Sequence, residues 1–336
     1  MMNPKMVVLG VTASVLGILM AGTAALGVGG AQAGRSSAAG TESGERTIED
    51  GGTGPYKAIA LSNSSISTHT IYRPKDLSAF GDREKLPILA WGNGGCANSN
   101  AAHQNYLSEI ASHGYLIVAI GPLQAPGAGR GGPGAGGAAG GAPVPSGGTL
   151  LDAVNWATAQ SANPQSPYYR KIDTSKAAVF GHSCGGLQAL EVSGDPRVKT
   201  TLVVDSGILN SPGAAPAGPR GGGGGGLPGM PPLTKEHLAK LHAPTFYLLG
   251  GETDIAYANG MDDFKRIEKI PVFVANKGVG HGGTFSQPHG SDWAMASVAW
   301  LQWQFRGDAE AGKLFTGNPP GLARKDGWTV EKKNIP

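Results

Sequence analysis

At 336 residues, 40% of them hydrophobic, the chain is long enough for one large domain with a buried core. A formal charge of +3 with no basic stripe or acidic tail excludes an electrostatic footprint for nucleic acid. Glycine stands apart: there are 56, many gathered in two tracts whose composition forbids a packed core.

Residues 1–33 read as an export signal. Lys5 supplies a positive n-region, residues 6–26 are apolar and uncharged, and Ala31-Gln32-Ala33 offers an A-x-A cleavage site. The alternative is an uncleaved membrane anchor, because the apolar stretch is long for a signal. No cysteine lies near the site, which argues against a lipoprotein, and no second apolar run could span a bilayer. The expected location is secreted or periplasmic, with no stable anchor after cleavage.

Residues 34–54, rich in Gly, Ser, Thr and Glu, read as a disordered leader. The main domain is expected over 55–316 and a C-terminal tail over 317–336. Strands are predicted at 58–61 and 66–72, the second ended by Pro74. The apolar run 86–91 stops in Gly92-Asn93-Gly94-Gly95. A polar helix follows over 101–113, closed by Gly114, and then the apolar run 115–120.

Helical spacing marks 150–160, through Leu151, Val154, Trp156 and Ala157. Beyond it the pattern predicts a strand at 177–180, a helix at 183–192, and strands at 201–204 and 245–249. A helix at 261–269, a strand at 272–274 and a last helix at 292–305 complete the set. In that helix Val298 and Leu301 are the expected core positions among three tryptophans. Short apolar strands alternating with helices predict an α/β fold: a single domain with a mostly parallel central sheet and helices on both faces. Loops at the carboxyl ends of such strands hold the active site. The Gly-rich tracts, 127–148 and 212–232, each follow a strand at that edge. They read as inserted surface loops, which cost little closure entropy, or as a mobile lid over a cleft.

Gly181-His182-Ser183-Cys184-Gly185 matches G-x-S-x-G. With 56 glycines and 23 serines, about 0.6 chance matches are expected, so the pentapeptide alone carries little. Its context carries more. A buried strand before it and a helix after it define a sharp turn that thrusts the hydroxyl outward, with glycines preventing collision on either side. The helix N-terminus beneath Ser183 favours negative charge that develops during acyl transfer.

A serine hydroxyl needs a histidine to take its proton and a carboxylate to orient that histidine. In α/β hydrolases the chain order is Ser, acid, His. His281, in Gly278-Val279-Gly280-His281-Gly282-Gly283 between the last strand and last helix, is the favoured base, with His289 in the same loop as runner-up. His242 precedes a strand and belongs at the wrong end of the sheet. Asp254, just past strand 245–249, is the favoured acid, and Asp205, ending the preceding strand, competes with it. Glu252 lies closer to the strand end, and Asp262 and Asp263 read as a helix start. The oxyanion hole is expected from backbone N–H groups of Cys184 and of the loop Asn93-Gly94-Gly95-Cys96. Both cysteines of the chain thus flank that hole, which predicts a Cys96–Cys184 disulfide or, failing it, two buried free thiols.

These residues resemble those of bacterial cutinases and polyester hydrolases, within the dienelactone-hydrolase-like α/β hydrolases. The likeness runs diffusely over 54–315. Ser166-Pro167-Tyr168-Tyr169-Arg170-Lys171-Ile172-Asp173 leading to Gly181-His182-Ser183-Cys184-Gly185-Gly186 is similar to the segment through the family's nucleophile. Ala111-Ser112-His113-Gly114-Tyr115 is similar to its helix-to-strand junction, and Ser297-Val298-Ala299-Trp300-Leu301 to its final helix. The resemblance implies that Ser183, Asp254 and His281 form the triad of a carboxylic ester hydrolase. It implies no cofactor or metal, an ester substrate of small or polymeric kind, and a monomer. The Ser183-to-Asp254 gap is 71 residues, or 50 with the 21 residues of 212–232 set aside, which is close to the family's spacing. Three features depart from the family. Gly94-Gly95-Cys96 and Gly207-Ile208 stand where polyester hydrolases carry aromatics, and the family's C-terminal disulfide is absent. Feruloyl or acetyl-xylan esterase activity is a close variant, and a non-catalytic binding protein on the same scaffold is the expectation from another class.

Overall fold

The apolar runs of the sequence form the centre of one sheet of ten strands. The computed structural model describes residues 38–124, 145–210 and 230–336. In chain order the first strands are β1 (Glu42–Arg46), β2 (Ala58–Asn63), β3 (His69–Pro74) and β4 (Leu86–Gly92). Helix α1 (Gln104–Ser112), strand β5 (Leu116–Ile120) and helix α2 (Gly147–Ala162) follow. The centre is built by β6 (Ile172–His182), α3 (Cys184–Val192) and β7 (Val198–Val204). Then come β8 (Thr245–Leu249), α4 (Tyr257–Arg266), β9 (Val272–Lys277), α5 (Ser291–Arg306), the short α6 (Ala309–Gly312) and β10 (Trp328–Lys333).

The strand order is β1-β2-β3-β5-β4-β6-β7-β8-β9-β10. Pairing is parallel from β5 through β9 and antiparallel at both flanks. This is the expected α/β fold, and all the described residues fall in one unit, Ser36–Pro336. The sheet is covered on both faces because its strands are apolar on both. Ala178 and Phe180 of β6 pack in the core that holds Leu107 and Ile110 of α1 and Trp300 and Leu301 of α5. Their neighbours Ala177 and Val179 pack in the opposite core with Leu150 and Val154 of α2. Farther along that face, Val203 and Tyr247 meet Leu190 of α3 and Phe264 of α4. Among the described residues no helix is long and apolar enough to cross a membrane.

The structure corrects the sequence reading at both ends of the domain. Within the expected leader, Glu42–Arg46 is an edge strand, not a disordered segment, and pairs antiparallel with β2. Its polar composition does not prevent order, because an edge strand needs only the free backbone groups of its neighbour. Glu42 also reaches the buried Arg73 at 2.7 Å and hydrogen-bonds the Tyr168 hydroxyl. At the other end, the expected tail 317–336 contains β10, which continues the sheet beyond β9. Trp328 supplies the anchor, buried 5.7 Å from the Trp293 ring.

Smaller differences have local causes. Asp262 and Asp263 lie within α4 rather than at its start. Asp263 is buried there and accepts from Lys235 Nζ at 2.6 Å and the Ile208 amide at 2.8 Å. In α5 the three tryptophans shift the buried face: Trp293 and Trp300 are buried with Leu301, while Val298 only borders the core. The segment 1–33 lies outside the described residues, as does most of the Gly-rich tracts, although Gly147 and Gly148 of the first tract open α2.

Candidate active site

Ser183 stands between the last residue of β6 and the first of α3, with φ 54° and ψ −117°. Such left-handed backbone is costly for a residue with a Cβ and persists where the surroundings enforce it. The enforcement is visible. The Ser183 amide donates to the Val204 carbonyl at 2.9 Å, and its carbonyl accepts from Ser206 Oγ at 2.6 Å. Glycines provide the clearance, since a Cβ on Gly185 would sit 2.1 Å from the Gly92 backbone.

The loops after β8 and β9 bring the acid and base to this point. Their backbones touch, with the Gly280 amide donating to the Gly250 carbonyl at 2.8 Å. His281 Nε2 lies 2.9 Å from Ser183 Oγ, and its Nδ1 lies 2.6 Å from Asp254 Oδ1. Asp254 Oδ1 also accepts from the Ala256 amide, and Oδ2 from the Gly250 amide. Burial alone would raise this carboxyl, but the His281 hydrogen bond and the two backbone donors hold it below the usual carboxylate range. Asp254 is thereby kept ionised where it meets the imidazole.

The competing residues are placed elsewhere. Asp205 is fully buried and accepts from Trp293 Nε1 at 3.1 Å, while His281 Nδ1 faces Asp254 instead. Burial, reinforced by the charge of Asp254, pushes its carboxyl well above the ordinary range. Two neighbouring buried carboxyls cannot both ionise cheaply, and burial disfavours the charged form more at Asp205 than at Asp254. His289 turns toward Glu49, Asp50 and Glu109, with its Nδ1 3.4 to 3.7 Å from their oxygens. His242 bonds the Val198 carbonyl at the start of β7, the opposite end of the sheet.

The loop after β4 lies against the N-terminus of α3. Asn93 braces it: its side chain accepts from Trp91 Nε1 and donates to the Ala97 and Ile120 carbonyls. Cys96 and Cys184 are joined by a disulfide, their Cα atoms 5.1 Å apart. That bond ties the loop Asn93-Gly94-Gly95-Cys96 to the first residue of α3, whose N–H has no acceptor inside the helix. Among the described residues no cluster of His, Cys, Asp and Glu could hold a metal ion.

Sequence reasoning gave no role to His182, His103, Phe285 or Trp293, which surround the site. The rings of His182, His103 and Phe285 form a continuous group: His182 packs on Phe285 at 4.9 Å and on His103 at 5.1 Å. His182 was open to inspection as the second residue of the motif. The others come together only through the fold.

No family model matches the chain. It is 27% identical over 156 residues to a protein described as Hydrolase ffsE from Aspergillus flavipes. The match covers 45% of this chain, which spans 32% of that relative's length.

Proposed function

We propose that the chain is a hydrolase, and specifically a serine carboxylic ester hydrolase working through an acyl-enzyme. The observation that carries the reading is the unbroken hydrogen-bonded line from Ser183 Oγ through His281 to Asp254. Ser183 Oγ attacks the ester carbonyl while its proton passes to His281 Nε2. The resulting imidazolium is stabilised by ionised Asp254, which also fixes the ring so that Nε2 faces the serine. The carbonyl oxygen, now anionic, takes hydrogen bonds from the amides of Cys184 and the loop Asn93 to Cys96. Collapse breaks the ester C–O bond, and His281 returns its proton to the leaving alkoxide. Water then attacks the acyl carbonyl while His281 takes one of its protons; collapse breaks the bond to Ser183 Oγ, His281 returns the proton to that oxygen, and the acyl group leaves as the acid. Each step uses only protein groups and water.

The name of the fungal relative supports the hydrolase class. The resemblance of the Ser183 segment to cutinases and polyester hydrolases favours acyl chains or an exported polyester as substrate. Gly94, Gly95, Gly207 and Ile208, which stand in place of aromatics, argue for aliphatic rather than aromatic polyesters. Export fits the Cys96–Cys184 disulfide, since such bonds persist in oxidising compartments.

The test is a panel of p-nitrophenyl esters of increasing acyl length beside aliphatic polyester films, with wild type and Ser183→Ala. The reading predicts turnover by wild type alone. Equal rates for the two proteins would overturn the esterase assignment, and turnover of soluble esters without film erosion would remove the polyester branch.

A further inference from the structure

We propose that His182 is a positioning residue for the base: it holds the backbone carbonyl of His281 and is locked in one tautomer by His103. The inference rests on the triad reading above. His182 Nε2 lies 2.8 Å from the His281 carbonyl oxygen, and its Nδ1 lies 3.2 Å from His103 Nε2.

The tautomers follow from what each partner can do. A carbonyl only accepts, so His182 Nε2 carries a hydrogen. In a neutral ring Nδ1 is then an acceptor, and His103 Nε2 must donate to it. His103 Nδ1 is left without a hydrogen, and it is buried with no partner among the described residues. The opposite assignment would set two lone pairs against each other at 3.2 Å or leave the His281 carbonyl without its donor.

This assignment holds for neutral rings. A charged His182 would direct an Nδ1–H at His103 Nε2 and force His103 into its other tautomer. The surroundings enforce neutrality: burial, then the nearby His281, lowers His182 to about 4, against opposing contributions from the His281 carbonyl and Asp254. Burial, then His182, holds His103 well below the ordinary imidazole range. The other titratable group beside the ring is Asp205, with Oδ2 3.9 Å from His182 Nε2.

The ring of His182 also touches the other walls of the site. Gly94 of the oxyanion loop approaches so closely that a Cβ there would lie 2.5 Å from His182 Nδ1. Phe285 closes the remaining side edge-on. One imidazole thus meets the nucleophile through the chain, the base through its carbonyl, and the oxyanion loop through contact. A shift of about 1 Å in a reacting group can cost about a hundredfold in rate, so a fixed His281 carbonyl bears directly on turnover.

The experiment combines imidazole ¹⁵N NMR on the full chain with kinetics of two variants. In wild type, both His182 and His103 should appear as neutral Nε2–H rings between pH 6 and 8. His103→Phe removes the donor, frees His182 to change tautomer, and should lower kcat about tenfold with KM within about twofold. His103→Gln, which restores a donor, should recover most of that loss. An Nδ1–H tautomer on either ring, or unchanged kcat in His103→Phe, would overturn the proposal. The wild-type tautomers decide the matter if His103→Phe does not fold. Fluorophosphonate labelling of wild type separates the two readings: no labelling sinks the triad itself, whereas labelling with the wrong tautomer sinks only the role of His182.

Discussion

Ser183 Oγ and His281 Nε2 stand 2.9 Å apart although 98 residues separate them in the chain. The distance is set by two parallel strands ending at the same sheet edge, β6 delivering the serine and β9 the histidine loop. The loop after β8, packed backbone to backbone on the His281 loop, places Asp254 behind the imidazole.

The two neighbouring carboxyls should respond differently to the same change. Asp254→Asn removes the ionised partner of His281 and should lower kcat by about 10³ to 10⁴. Asp205→Asn leaves the Asp254–His281 pair intact and keeps an acceptor for Trp293 Nε1, so kcat should stay within about tenfold. Steady-state kinetics on a short-chain ester checks both. A larger loss in Asp205→Asn would move the acid to Asp205.

Much of this was legible in the sequence, and the gaps have physical causes. Strand 245–249 and the elbow at Ser183 were readable because fully apolar runs next to glycine allow few alternatives. Edge strands β1 and β10 were not, since their order comes from a neighbour's free backbone groups and from single anchors such as Glu42 and Trp328. The choice between Asp254 and Asp205 needed geometry, because both follow strands at the same edge. The roles of His103 and Phe285 depend on tertiary contacts that no local pattern encodes.

Gly185 should tolerate no side chain. A Cβ would strike the Gly92 backbone at 2.1 Å, where neither partner can turn aside. Gly185→Ala should therefore destabilise the fold by about 3 kcal/mol or more. Gly278→Ala, where a Cβ meets nothing within 4 Å, is the control and should change stability by less than about 1 kcal/mol. Urea unfolding of the two variants gives the comparison, and equal midpoints would contradict the packing described for the elbow.

The disulfide should contribute to both stability and rate. It closes a loop of 88 residues, for which the chain-entropy model gives about 4.6 kcal/mol, against a typical contribution of about 2 to 4. Cys96→Ser should lower the melting temperature and also kcat, because the oxyanion loop loses its tie to α3. Thermal unfolding and ester turnover measured on one preparation test this; a lower melting temperature with unchanged kcat would leave the bond structural only.

His69 should give stability a defined pH dependence. It is 1% exposed, and burial, partly opposed by its bond to the Thr149 carbonyl, lowers its pKa to about 4 from the usual 6.5. Between those values the unfolded chain binds the proton and the folded chain does not. The stability associated with neutral His69 is therefore complete above pH 6.5 and lost progressively as pH falls toward 4. Relative to His69→Gln, wild type should lose up to about 1.4 kcal/mol per pH unit across that window. Parallel stability-versus-pH curves for the two proteins would refute it.

The central claim is that Ser183 is a nucleophile activated by His281. Its most direct measurement is covalent labelling by a fluorophosphonate, followed by peptide mass analysis of wild type, Ser183→Ala and His281→Ala. The account predicts a single adduct on Ser183 in wild type, none in Ser183→Ala, and a rate lower by about a thousandfold or more in His281→Ala. An unlabelled wild type, or an adduct formed as fast without His281, would contradict it.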